Sequence, residues 1–264
     1  MLRACRSIYM AKFRTLLQYR AAALAGCGTQ LFWGLIRMMI FEGFYRSTTK
    51  IQPMSRDETI TYIWLGQAML LLLPWGINAD VRKSVREGTI AYELLRPIDL
   101  YTTWYLRDMA RCTAPLFLRA FPIFVVAGAF AAMKPPPSLA SGLCWLLVTL
   151  SSILLSCAFS NLSSALMVHT LSADGIVRLL PTLVYFGSGM LIPIPLCPPW
   201  LQAVLNFLPF KGMSDAPFRV YTGHIPPSGV WGVLAHQFIW TLALIVFGKW
   251  LLNRSMKRMA IQGG

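Results

Sequence analysis

The stretch LASGLCWLLVTLSSILLSCAFSNLSSALMV (139–168) runs without a single Asp, Glu, Lys or Arg. A helix needs ~20 mostly apolar residues to cross a bilayer, so this run predicts a transmembrane helix with length to spare. On either side of it, apolar runs at 21–45, 59–78, 112–133, 175–192 and 229–252 predict five more spans. Hydrophobic residues make up 56% of the 264 positions and charged residues 13%. That leaves too little polar side chain to cover a soluble core holding all these runs, because soluble domains carry ~25% charged residues. The fold class is therefore an all-α polytopic membrane protein of about six helices.

Punctuation residues set the connections. Lys134 is followed by Pro135, Pro136 and Pro137, which forbid a continuing helix and mark a short turn between the third and fourth spans. Residues 193–227 are apolar but broken by Pro193, Pro195, Pro198, Pro199, Pro209 and Pro217. No spanning helix fits there. The clear stretch from Trp200 to Leu208 is long enough for a two-turn helix with Pro199 in its first turn, which predicts a re-entrant or interfacial hairpin on the outer side. Residues 1–20 place Leu2, Tyr9, Phe13 and Leu16 on one helical side, interrupted by Arg6 and Arg20. They predict an interfacial elbow helix ahead of a single membrane domain, 21–264.

The formal charge is +14, from 24 Lys and Arg against 10 Asp and Glu. Nucleic-acid binding would gather these cations on a soluble face, whereas here they lie between and outside the apolar runs. Sixteen fall in residues 1–20, 79–111, the 169–178 turn and the tail; six fall in 46–58, at Lys134 and in 194–227. The positive-inside bias puts both termini and the 79–111 segment in the cytoplasm. Six cysteines show no CxxC or other metal-ligand spacing, so neither a zinc site nor a disulfide framework is indicated. His169, His224 and His236 are scattered, which speaks against an embedded membrane enzyme. No internal repeat with ionisable residues near the midplane supports a secondary, ion-driven carrier, the other alternative.

The segment VREGTIAYELLRPIDL (85–100) resembles the loop after the second span in permeases of type-2 ABC exporters, in the half-size branch with Gly-x-x-x-x-x-Leu-Leu-Arg-Pro there. SGMLIP (188–193), PPWLQAVLNFLPF (198–210), YTG (221–223) and the terminal QGG (262–264) follow that family's order and spacing. The resemblance implies a bacterial inner-membrane efflux subunit. It would pair with a second copy or a related permease, and be driven by separate cytoplasmic ATPase subunits that bind ATP and magnesium. It also implies a coupling helix in or beside 80–100, and a re-entrant hairpin over 193–210. The chain itself carries no phosphate loop and no LSGGQ-like signature, so catalytic residues and cofactors are expected in the partner alone.

Within that frame, 79–111 mixes six basic residues with Asp80, Glu87, Glu93, Asp99 and Asp108. Acids contribute little to orientation, and alternating signs suit a helix that docks in a charged cleft. The candidate ATPase contacts are Arg82, Arg86, Glu87, Gly88, Glu93, Arg96, Pro97 and Asp99. Arg119 sits two turns into the third span, where a charge costs ~2.5–3.5 kcal/mol on insertion scales. It is expected to reach the inner headgroups, or else to face the interior and pair with an acid or an anionic substrate group. Arg37 is expected to snorkel outward. Ser152, Ser156, Ser160 and Ser164 form a small-residue stripe for close helix packing, and Pro193, Pro199, Trp200 and Pro209 shape the hairpin. His169, Asp174 and Arg178 crowd a turn read as a second cytoplasmic contact.

Overall fold

The computed structural model describes residues 2–18, 20–95, 97–130, 133–170 and 174–262, and the side chains of Arg20, Ala22, Ala91, Pro115, 174, 176–178 and 258–262 fall outside that description. Every element among the described residues is helical. In chain order these are α1 (Leu2–Leu17), α2 (Arg20–Ser47), α3 (Arg56–Ala68), α4 (Ala79–Arg86), α5 (Ile90–Leu94), α6 (Leu100–Pro115), α7 (Phe121–Phe130), α8 (Leu139–Thr170), α9 (Asp174–Gly187), α10 (Pro199–Phe207), α11 (Asp215–Thr222) and α12 (Val230–Gln262).

Among the described residues, four stretches are long and apolar enough to cross a membrane: Ala23–Ser47, Leu100–Phe130, Leu139–Thr170 and Pro227–Lys257. They turn large apolar side chains outward, among them Phe32, Met39, Phe121, Leu150, Phe238 and Phe247. Soluble monomers rarely expose so many large apolar side chains together. The chain is a multi-pass membrane protein.

The second and fifth expected spans are shorter than their apolar runs. α3 covers 13 residues and α9 covers 14, each ~20 Å of helix at 1.5 Å per residue. The capping box of Ser55 and Glu58 starts α3, and a 3-10 turn at Leu70–Leu72 ends it before Pro74. Thr59 through Ala68 are all buried. α2, α7 and α11 pack around this helix, so its polar Thr59, Thr61 and Gln67 never meet lipid. Irregular backbone at membrane depth is tolerated where protein shields it.

The third span starts earlier than expected. Asp99 caps α6 by accepting from the Thr102 amide at 3.0 Å, so the helix begins at Leu100 rather than near Cys112. α6 then passes through a π-helical turn, Leu116–Ala120, into α7. Pro122 would clash with the Leu118 carbonyl in a regular helix, and the wider turn accommodates it.

One pole of the bundle gathers α4, α5, the start of α6 and the ends of α8 and α12 around Val81, Trp104, Val168, Leu251 and Leu252. α1 packs along α6 through Tyr9 and Phe13, with the Tyr9 hydroxyl 2.8 Å from Thr113 Oγ1 and the Phe13 and Phe117 rings 6.0 Å apart. The half-buried positions Cys5, Tyr9, Phe13 and Leu16 repeat at helical spacing. Leu2, expected on that stripe, is exposed. At the opposite pole, 193–227 forms 3-10 turns with α10 and α11 between α3, α8 and α12.

Candidate functional site

The candidate site is the outward face of α4 and α5. Asn78 caps α4 by accepting from the Asp80 amide at 3.0 Å, and Gly88 ends it with φ +69°. That left-handed conformation favours glycine. α4 turns Val81 and Ser84 inward and leaves Lys83, Arg86 and Glu87 exposed, with Arg82 half-exposed. The following residues expose Tyr92, Leu94, Leu95 and Pro97, Leu95 to 82%. A mixed-charge helix beside uncovered apolar side chains has the make-up of a protein-docking surface, whose anchors are apolar and whose rim is charged.

The rear of this surface is rigidly held. Asp108, 1% exposed, accepts from Asn78 Nδ2 at 2.7 Å and from Asn161 Nδ2 at 3.4 Å. Arg111 completes the cluster, 3.4 Å from Asp108 and donating to Ser160 Oγ at 2.8 Å. The residue that caps α4 is thereby bonded to α6 and, through the shared carboxylate, to α8.

Two of the expected contacts also hold neighbouring helices in place. Glu93, only 15% exposed, accepts from Trp104 Nε1 at 2.9 Å and Arg107 Nη1 at 2.7 Å. It fastens α5 to α6, because a half-desolvated carboxylate is satisfied best by donors already within reach. Asp99 is the α6 cap, with Lys249 at 3.7 Å. Arg96 lies outside the described residues, as do the side chains of Asp174 and Arg178 and the terminal glycines.

Arg119 lies in the π-helical turn, its guanidinium against the α2 backbone at Gly26, where a Cβ would come within 2.6 Å of Cζ. Its Nε is buried without a partner, and no acid among the described residues pairs with it. Arg37 differs from expectation. It donates to the Met190 carbonyl and, at 2.6 Å, to the Leu191 carbonyl, satisfying backbone just past the end of α9 instead of reaching for headgroups.

Ser152, Ser156, Ser160 and Ser164 are all fully buried. Ser152 donates to the Gly212 carbonyl at 2.7 Å, joining α8 to the hairpin, and Ser160 receives Arg111 from α6. In the hairpin, Pro193 precedes a 3-10 turn, Pro199 opens α10, Pro209 is buried and Trp200 is 70% exposed.

The hairpin's anchor escaped the sequence reading. Asp215, 0% exposed, accepts from the Ile194 amide at 3.2 Å and from Arg219 Nη1 at 3.3 Å. The Tyr62 hydroxyl of α3 lies 3.0 Å from Asp215 Oδ1 and 3.1 Å from the Gly189 carbonyl. The signal was there: Asp215 is the one acid in 193–227, and an acid in an apolar segment needs a partner.

A family model for ABC-2 family transporter proteins matches residues 31–263. The chain belongs to that family. ABC-2 family proteins are the membrane components of transporters, not their catalytic domains, and the bundle of long lipid-facing helices agrees with that assignment. The matched region takes in α4, α5 and the hairpin as well as most of α2 and all of the later helices. A comparison with curated proteins returns no match.

Proposed function

We propose that this ABC-2 family chain is the permease half of an ATP-driven exporter, resident in a bacterial inner membrane with both termini in the cytoplasm. It works beside a second copy or a related permease, and each permease docks on a separate ATPase through α4 and α5. The observation that carries this reading is the exposed face of Lys83, Arg86, Glu87, Tyr92, Leu94 and Leu95 backed by the buried Asp108 cluster. The Lys and Arg excess at the same pole supports the orientation.

In mechanism, a partner that presses on α4 moves the Asn78 cap, and Asn78 carries the displacement through Asp108 to α6 and α8. Glu93 keeps α5 moving with α6 instead of peeling away. Packed, hydrogen-bonded elements transmit small shifts as rigid-body tilts. ATP and magnesium act in the partner, and this chain supplies the lever and its share of the path.

The test is a photo-crosslinking amino acid introduced at Tyr92, with Trp200 at the opposite pole as control. The expected result is a light-dependent adduct to an ATPase-sized protein from position 92 and none from 200. Adducts from 200 alone would contradict the docking assignment.

A further inference from the structure

A cavity of about 230 Å³ with mixed polar and apolar walls lies between the hairpin and α12, at the pole opposite α4. This is several times the ~30 Å³ share of one water molecule. Its walls include Lys211, Asp215 and Arg219 on the hairpin side and Gly232 and His236 on α12, with Ile225 and Val233 as apolar neighbours. Two of its polar atoms are buried with no partner: Arg219 Nε and His236 Nε2. Among the described residues Lys211 donates to Asn206 Oδ1 alone, at 3.4 Å.

The cavity's carboxylate is already committed. Asp215 is held by Tyr62, the Ile194 amide and Arg219 Nη1, which leaves the other edge of the Arg219 guanidinium free to act. Two cations against one occupied carboxylate leave the cavity net positive. Burial and the like charge of Arg219 press the Lys211 ammonium below the ordinary lysine range, against the pull of Asp215. An anion between Lys211 and Arg219 relieves both effects. Gly232, exposed at the cavity wall, has nothing within 4 Å of where its Cβ would be, so a larger side chain finds room there.

We infer that this cavity binds a phosphate-type oxyanion, with Arg219 Nε and Lys211 Nζ donating to its oxygens and His236 Nε2 accepting from its P–OH. Arginine presents its edge to such groups, and the buried Arg219 Nε–H is satisfied by a charge-assisted bond of this kind. The oxyanion can arrive on a membrane lipid headgroup or on a free phosphate-bearing solute. The site lies apart from the α4–α5 surface and does not depend on its role.

The full-length chain, purified in dodecyl maltoside, is titrated calorimetrically with inorganic phosphate, dioctanoyl phosphatidate and dioctanoylglycerol. Gly232→Leu adds bulk at the cavity wall without touching a charge, and Lys211→Gln removes one of the two cations while leaving the hydrogen bonds of Asp215 in place. Unchanged gel-filtration profiles show that both variants fold. Saturable phosphatidate binding, absent for dioctanoylglycerol and weakened at least fivefold in both variants, supports the site and assigns it to a lipid headgroup. Phosphate binding weakened in the same way supports it with a soluble source. No binding of either phosphate probe, equal binding of dioctanoylglycerol, or a loss smaller than fivefold in either variant overturns the inference.

Discussion

Asp108→Ala lowers the stability of the purified protein by ~3–5 kcal/mol, the range found when one partner of a buried charge pair is removed. Asp108 is 1% exposed and is shared by Asn78, Asn161 and Arg111. Alanine leaves the half-buried Arg111 cation and two buried amides facing a methyl group. Asp108→Asn costs about half as much, since its carbonyl still accepts one bond while its own amide opposes the donors. Unfolding in mixed detergent micelles, followed by tryptophan fluorescence, measures both. Because Asn78 also caps α4, Asp108→Ala further increases protease sensitivity within 79–95. A loss below ~1 kcal/mol, with that segment still protected, would show that the cluster does not brace α4.

The second large effect lies at the other pole. Asp215→Ala removes the acceptor for Arg219, the Ile194 amide and the Tyr62 hydroxyl, and by the same reasoning costs ~3–5 kcal/mol. The hairpin then loses its tie to α3. Trp200→Ala, on the exposed face of α10, changes stability by less than ~0.5 kcal/mol, as surface substitutions do. The same unfolding assay compares them, and equal losses from both variants would sink the anchoring role of Asp215.

These two residues mark the boundary of what could be read from the chain. α10 runs Pro199–Phe207, nearly as its prolines predict, because Pro and Gly act through their own backbone geometry. The long apolar runs of α2, α8 and α12 announce themselves by length alone. α3 does not. Its residues are buried in protein on every side, and hydropathy does not distinguish a lipid neighbour from a leucine neighbour.

The direction of charged side chains was equally hidden. Glu93 belongs to a run of alternating signs that reads as a solvated, docking face. Its partners Trp104 and Arg107 lie on another helix, beyond the reach of local periodicity. Arg37 meets carbonyls more than 150 positions away in sequence, at Met190 and Leu191, a pairing only the fold creates. What the sequence did display was the density of charge in 79–111. The fold sorts it into an outer face of Lys83, Arg86 and Glu87, an exposed helix cap at Asp99 and a bracing pair of Glu93 and Asp108.

The central claim is that this chain is driven by a separate ATPase docked on α4 and α5. Affinity purification from native membranes in mild detergent, with assay of the eluate for vanadate-sensitive ATP hydrolysis, tests it most directly. The account predicts that an ATPase co-purifies, and that Glu87→Lys lowers its yield at least fivefold while the permease remains folded. A chain that purifies alone, and transports in ATP-free proteoliposomes under an ion gradient, would contradict it.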